Sequence, residues 1–224
     1  MLLPSAYRPL LLERCLNSLF ENLPNCETRV VVSVMYDDLE SVKVVSRFPV
    51  VYAARVPYEY DRGAIYGWNK CLEQEPYSDL YSLGSDDLVY HAGWHEQSLS
   101  QLDGLGGYGL VGYNDTYSDG RVYAGHFLVS RNFLIDQVGG CIYPPIYRNW
   151  WCDREVSDIA QNLNCYAWAE QAIVEHCNYE FINAHPDQVS LDALPMHEID
   201  HQLYLRRKAQ GFPTTWQPIL KRQP

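Results

Sequence analysis

The chain reads as an α/β fold on a mostly parallel central sheet flanked by helices, with a helical tail at its C-terminal end. Apolar strand-like runs alternate with helical runs through residues 1–103, an order that implies crossover connections and parallel strands. Two of the predicted strands end in adjacent carboxylates, Asp37-Asp38 and Asp86-Asp87, and ligands bind such sheets beyond the carboxyl ends of their strands. The last strong pattern is a polar helix at about 195–210, closed by Gly211 and Pro213.

In chain order, Met1-Leu2-Leu3 is a short apolar segment running into Pro4-Ser5-Ala6-Tyr7-Arg8-Pro9. Pro9 suits the first turn of a helix, and 10–22 places Leu12, Cys15, Leu16, Leu19 and Phe20 on one face. Residues 29–35 are a dense β-branched run, the mark of a buried strand. A short helix is expected at 39–48, a strand at 50–56, a helix at 62–73, and then the strand that ends at Asp86-Asp87. A helix at 93–102 leads to a glycine loop (Gly104, Gly106, Gly107, Gly109), a strand at 108–113, a turn-rich stretch at 114–120 and a strand at 121–130. A short helix at 132–138 is broken by Gly139-Gly140; a helix at 153–163 and strand signals at 165–174 follow. The expected organisation is one domain over 1–180, divided at 103/104 into two halves, with 181–224 as a helical extension packed on it.

Size and charge narrow the function classes. The 224 residues are enough for one large α/β domain, and 47% hydrophobic residues with 18 Tyr and 6 Trp is a globular composition. A formal net charge of −11 argues against a nucleic-acid surface. An acidic protein that handles phosphates needs a metal or a few placed arginines. Neither a signal peptide nor a transmembrane run is expected. The seven cysteines form no CxxC pair, which fits reduced, buried thiols in a cytoplasmic protein.

Three clusters carry candidate chemistry. Asp86 and Asp87 repel each other at a strand end, and a hard divalent ion bridging to phosphate oxygens relieves that; helix capping is the plainer use of such a pair. Trp150-Trp151-Cys152-Asp153-Arg154-Glu155 sets carboxylates at a helix start beside an aromatic wall, which is helix-start charge or a general base. Val174-Glu175-His176 ends an apolar run, and its imidazole suits a metal site shared with Asp86-Asp87.

Taken in order, these segments resemble a family 2 glycosyltransferase of the GT-A fold across most of residues 1–180. Pro4 to Pro9 resembles the first-strand nucleotide loop, Tyr36-Asp37-Asp38 the acid that contacts the base, and Arg62 with Asn69 the Arg-to-Asn segment near the nucleotide. Ser85-Asp86-Asp87 resembles the DxD-type metal motif, residues 125–131 the strand lining the acceptor cleft, Cys152-Asp153 the catalytic Glu-Asp pair, and Glu175-His176 the late metal-binding histidine. The resemblance implies an inverting, Mn2+- or Mg2+-dependent transfer from a nucleotide-sugar donor to a glycan, protein or lipid-linked acceptor. Ser5, Arg8, Asp37, Asp38, Arg62 and Asn69 then serve the nucleotide, Asp86 the ribose or the metal, and Asp87 and His176 the metal. Asp153 is the base, with Glu155 sharing that role, and His126, Trp150 and Trp151 hold the acceptor. Two positions depart from the pattern: Asp37-Asp38-Leu39-Glu40 stands for Asp-Asp-Gly-Ser, and Cys152 stands for the catalytic Glu.

Other readings stay open. A catalytically inactive nucleotide-sugar-binding module has the same residues. A nucleotidyltransferase needs a glycine-rich loop after the first strand, and Pro4 to Pro9 contains no glycine. His197-Glu198-Ile199-Asp200-His201 matches the HExxH zinc-protease pattern, but no His, Asp, Glu or Cys follows it to complete the site.

Overall fold

The computed structural model describes residues 1–23, 28–55, 63–178 and 185–222. The N-terminal half is built from β1 (Leu2–Pro4), α1 (Pro9–Asn22), β2 (Val31–Met35), α2 (Leu39–Val45), β3 (Val51–Arg55), α3 (Gly63–Gln74), β4 (Leu80–Ser82), β5 (Leu88–Tyr90) and α4 (Trp94–Gly104). The remainder comprises β6 (Leu110–Asn114), β7 (Phe127–Ser130), α5 (Arg131–Gln137), α6 (Cys152–Asn162), β8 (Tyr166–His176), α7 (Gln188–Ala193) and α8 (Met196–Ala209).

β1, β2 and β3 pair in parallel in that order, as the alternating pattern predicts. A parallel bridge from Leu2 to Leu83 joins them to a second group, ordered β4-β7-β6-β8-β5. There β6 and β8 are parallel, while β4/β7, β6/β7 and β5/β8 are antiparallel. The chain turns back after Asp87 as β5, a strand that the sequence pattern does not announce. Strand 121–130 contracts to β7, because its first residues form turns around Asp119. The signals at 165–174 fuse into one eleven-residue strand, β8, with a register shift opposite Tyr113/Asn114. Helix α7 is likewise absent from the sequence expectation.

The sheet lies between two apolar layers, and its side chains alternate between them as strand geometry requires. Leu2, Val31, Leu110, Phe127 and Val129 join the layer of α3, α5, α6 and α8. Leu3, Val32, Val111 and Leu128 join the layer of α1, α2 and α4. Helix α1 supplies Leu12, Leu16 and Leu19 to the latter, from the stripe expected of it. Among the described residues no helix is long and apolar enough to cross a membrane.

This topology gathers one edge. Ser5 follows β1, Asp86 and Asp87 follow β4, Asp115 follows β6, and His176 ends β8. β7 runs antiparallel to β4 and β6, so His126, just before it, starts at that same edge.

Candidate active site

A cleft of about 1220 Å³ opens at this edge. Ser5, Arg8, Asp86, Asp87, His126, Trp150, Trp151, Asp153 and His176 line it, together with Asp115, Arg148, Arg154 and residues of α7 and the start of α8. Of the residues singled out in the sequence, Asp37, Asp38, Asn69 and Glu155 are elsewhere, and Arg62 lies outside the described residues.

Those four have structural partners. Asp38 caps α2, accepting from Ser41 N at 3.1 Å, and its other oxygen accepts from Tyr7 N at 2.6 Å. Asp37 is exposed and accepts from the Tyr7 hydroxyl at 3.0 Å. Asn69 is buried and bonds Tyr143 O at 2.9 Å and Ile142 N at 3.0 Å, tying α3 to the loop before α6. Glu155 is buried against α8: Arg207 donates to both its oxygens at 2.8 Å, and the Tyr147 hydroxyl donates at 2.7 Å. That geometry leaves Glu155 no access to the cleft, so the base role shared with Asp153 is withdrawn.

The acidic pair is held from three sides. Ser5 Oγ donates to Asp86 at 2.7 Å and Arg8 donates to it at 3.3 Å. Ser85 Oγ donates to Asp87 at 2.5 Å, and His176 Nε2 lies 3.4 Å from the other Asp87 oxygen. Burial, with Asp87 adjacent, pushes the Asp86 carboxyl up to about 6 against the pull of Arg8. Asp87 is also buried, yet the His176 imidazole and the Ser85 hydroxyl hold it well below the usual carboxylate range. His176 moves the other way: burial opposes its charge, and Asp87 outweighs burial to raise it.

Arg8 links this pair to the C-terminal segment. Its guanidinium donates to both oxygens of Asp187 at 2.7 and 2.8 Å and to Ser190 Oγ at 2.7 Å. Asp187 in turn caps α7 through Ser190 N. The residues after 185 thus form a wall of the cleft.

A second part of the lining starts at α6, packed against the segment after 185. Trp151 precedes the helix with a left-handed backbone (φ 65°) that non-glycine residues rarely adopt. The ring is packed in exchange: it stacks on His201 at 4.1 Å between centroids and on Tyr204 at 5.4 Å. Asp200 of α8 collects the backbone amides of Arg148, Asn149 and Trp150 at 3.0–3.4 Å. Gly63 lets the start of α3 close against the same loop, since a Cβ there would stand 2.1 Å from Arg148 O. Asp153, in the first turn of α6, lines the cleft and is pushed up to about 6 by burial.

Among the described residues, the HExxH histidines join no group that could hold zinc. His197 packs edge-on against Trp150 and His201 lies flat on Trp151. Among the described residues, the group of His, Cys, Asp and Glu side chains close enough to share an ion is Asp115, His126 and His176, with ligand atoms within 4.8 Å of one another. Asp115 escapes sequence reading because it lies in a turn-rich stretch; the available signal is a third carboxylate directly after a strand. Asp187 and Asp200 escape it because their partners are far away in sequence.

The lining residues include five carboxylates, Asp86, Asp87, Asp115, Asp153 and Asp192, against the guanidinium groups of Arg8, Arg148 and Arg154. Arg8 and Arg154 are already engaged with aspartates. The lining is therefore net acidic, and carboxylate with imidazole is a donor set suited to a divalent first-row ion.

No protein-family model and no curated protein matches the sequence. Solved structures do match. A mannosyltransferase from Pyrobaculum calidifontis, solved with GDP-Man and Mn2+, aligns over 96% of this chain with a TM-score of 0.68 at 14% identity. This chain spans 64% of that protein's length. Glucosyl-3-phosphoglycerate synthase from Mycobacterium tuberculosis, solved with Mg2+ and UDP, aligns over 96% of this chain and 79% of its own, with a TM-score of 0.61 at 14% identity. The same enzyme with Mn2+, UDP and glucosyl-3-phosphoglycerate gives 0.61 at 15% identity, over 96% of this chain and 80% of its own. At such identities the likeness speaks to architecture, and the architecture is the GT-A fold of nucleotide-sugar glycosyltransferases.

Proposed function

We propose that the chain is a metal-dependent glycosyltransferase that moves a sugar from a nucleoside diphosphate to an acceptor hydroxyl with inversion. The observation that carries this is convergence: Asp86, Asp87, His176 and Asp153, distant in sequence, line one cleft at one sheet edge. The neighbours' complexes with GDP-Man and UDP support the same reading.

In this reading Asp87 and His176 hold Mn2+ or Mg2+, and Ser5, Arg8 and Asp86 face the donor. Bound there, the divalent ion offsets charge growing on the leaving diphosphate. Asp153 takes the proton of the acceptor hydroxyl as that oxygen bonds to the anomeric carbon and the bond to the diphosphate breaks. Trp150, Trp151 and His197 line the acceptor side of the cleft in this reading. Asp38 and Asn69 contribute by holding α2 and α3 in place rather than from the cleft lining. The six described cysteines are free, which suits the cytoplasmic location in this reading.

The test is a panel of UDP- and GDP-sugars incubated with the protein and Mn2+, scored for release of nucleoside diphosphate and for transfer to candidate acceptors. Metal-dependent release from one donor is the expected result. Donor binding without turnover under any acceptor condition would reassign the chain to an inactive binding module.

A further inference from the structure

At the rim of the acidic pair, Asp115 has no part in the transfer just proposed, and His126 has only the acceptor-side place that the family resemblance gives it. Asp115 follows β6 and His126 precedes β7. The two strands are hydrogen-bonded, and Tyr113 N meets His126 O at 3.0 Å. On the other side, His176 N donates to Asp115 O at 3.0 Å. Three neighbouring strand ends therefore bring a carboxylate and two imidazoles together, with ligand atoms within 4.8 Å of one another.

His126 is 6% exposed, and its Nε2 lies 3.1 Å from Ser85 Oγ. Its buried Nδ1 has no hydrogen-bond partner. A buried polar atom without a partner is unfavourable, and a bound cation would supply the missing partner of His126 Nδ1. The His126 and His176 rings stand edge to face, 4.9 Å between centroids. The Asp115 carboxylate is held rigidly by Tyr117 N at 3.0 Å, Ser118 N at 2.6 Å and Ser118 Oγ at 2.7 Å. Those bonds fix its oxygens in place and leave lone pairs free for a cation. The Gly125 position keeps the approach clear, since a Cβ there would come 3.3 Å from Asp115 Oδ2.

We propose that Asp115, His126 and His176 form a preassembled divalent-cation site, next to Asp87, that takes a first-row metal before any nucleotide arrives. The inference deepens the reading of the same cleft and rests on it for the use of the ion, though not for its binding. Two imidazoles and a carboxylate favour Mn2+, Co2+ or Zn2+ over Mg2+, which prefers oxygen ligands and retains its water.

The experiment uses the full chain and metal alone. Calorimetric titration with Co2+ or Mn2+, without nucleotide, is expected to give one ion per chain, bound roughly tenfold or more tighter than Mg2+. His126→Ala and Asp115→Asn should each weaken that binding about tenfold or more. Asn retains an acceptor oxygen for the Tyr117 and Ser118 amides, so the turn survives. Pulsed electron paramagnetic resonance of the wild-type Mn2+ complex needs no variant; it should resolve two imidazole nitrogens. A single nitrogen, or unchanged affinity in both variants, overturns the proposal. The outcomes separate the two readings. Metal bound by two imidazoles in a protein without transferase activity keeps this site and removes the glycosyltransferase. Sugar transfer with metal affinity indifferent to His126 and Asp115 does the reverse.

Discussion

Asp37-Asp38 and Asp86-Asp87 are the same dipeptide at the ends of two strands, yet they have different fates. After Met35 the chain enters a helix, so Asp38 is spent on capping α2 and on the Tyr7 amide, and Asp37 is left in solvent. After β4 the chain reverses into β5 and no helix start is there to be capped. Asp86 and Asp87 are buried instead among Ser5, Arg8, Ser85 and His176. The element after a carboxylate pair decides its use more than the strand before it. Asp153 and Glu155 repeat the lesson within a single turn of α6. One looks into the cleft, and the other is locked to Arg207.

Four changes would break or sharpen these contrasts. Asp87→Ala should have the largest effect, lowering transfer by about 10³-fold or more and abolishing metal-dependent donor binding in a calorimetric titration. Asp153→Asn should lower kcat by roughly 10²–10⁴-fold while donor binding survives. Asp153 is pushed up to about 6 by burial, so the wild-type rate should climb as pH rises through about 6 and then level off. The same shift acts on stability in the opposite sense. A carboxyl raised by folding stabilises fully below about pH 4, and that contribution is lost as pH rises through about 6. Asp153→Asn should therefore melt above the wild type at about pH 8, which calorimetric scanning would reveal. Glu155→Gln leaves a buried guanidinium without its counter-charge and should cost about 3–5 kcal/mol in urea unfolding. Asp38→Ala loses a cap and should cost only about 1–2 kcal/mol, read in the same unfolding experiment.

The parts visible in the sequence are those set by local pattern. The stripe of α1, the buried run of β2 and the alternation over 1–103 lead directly to β1–β3 and their helices. The same holds for Asp86, Asp87, Asp153 and His176, which stand beside strand or helix ends that periodicity reveals. The hidden parts depend on long-range pairing. β5 is three residues long and exists because β8 lies beside it. Glu155 looks like a catalytic neighbour of Asp153 in the sequence because nothing local announces Arg207. Asp115 lies in a stretch that reads as turn-rich, and only the adjacency of β6, β7 and β8 brings it to two histidines.

The amides that Asp200 gathers at positions 148–150 change what shortening this protein would mean. With α8 gone, three inward-facing N–H groups, Glu155 and the stacked face of Trp151 would all be stranded at once. A version ending near 178 would not be the same fold with a shorter tail. It would be a chain whose central loop has lost its anchor, and its expected behaviour in the test tube is aggregation.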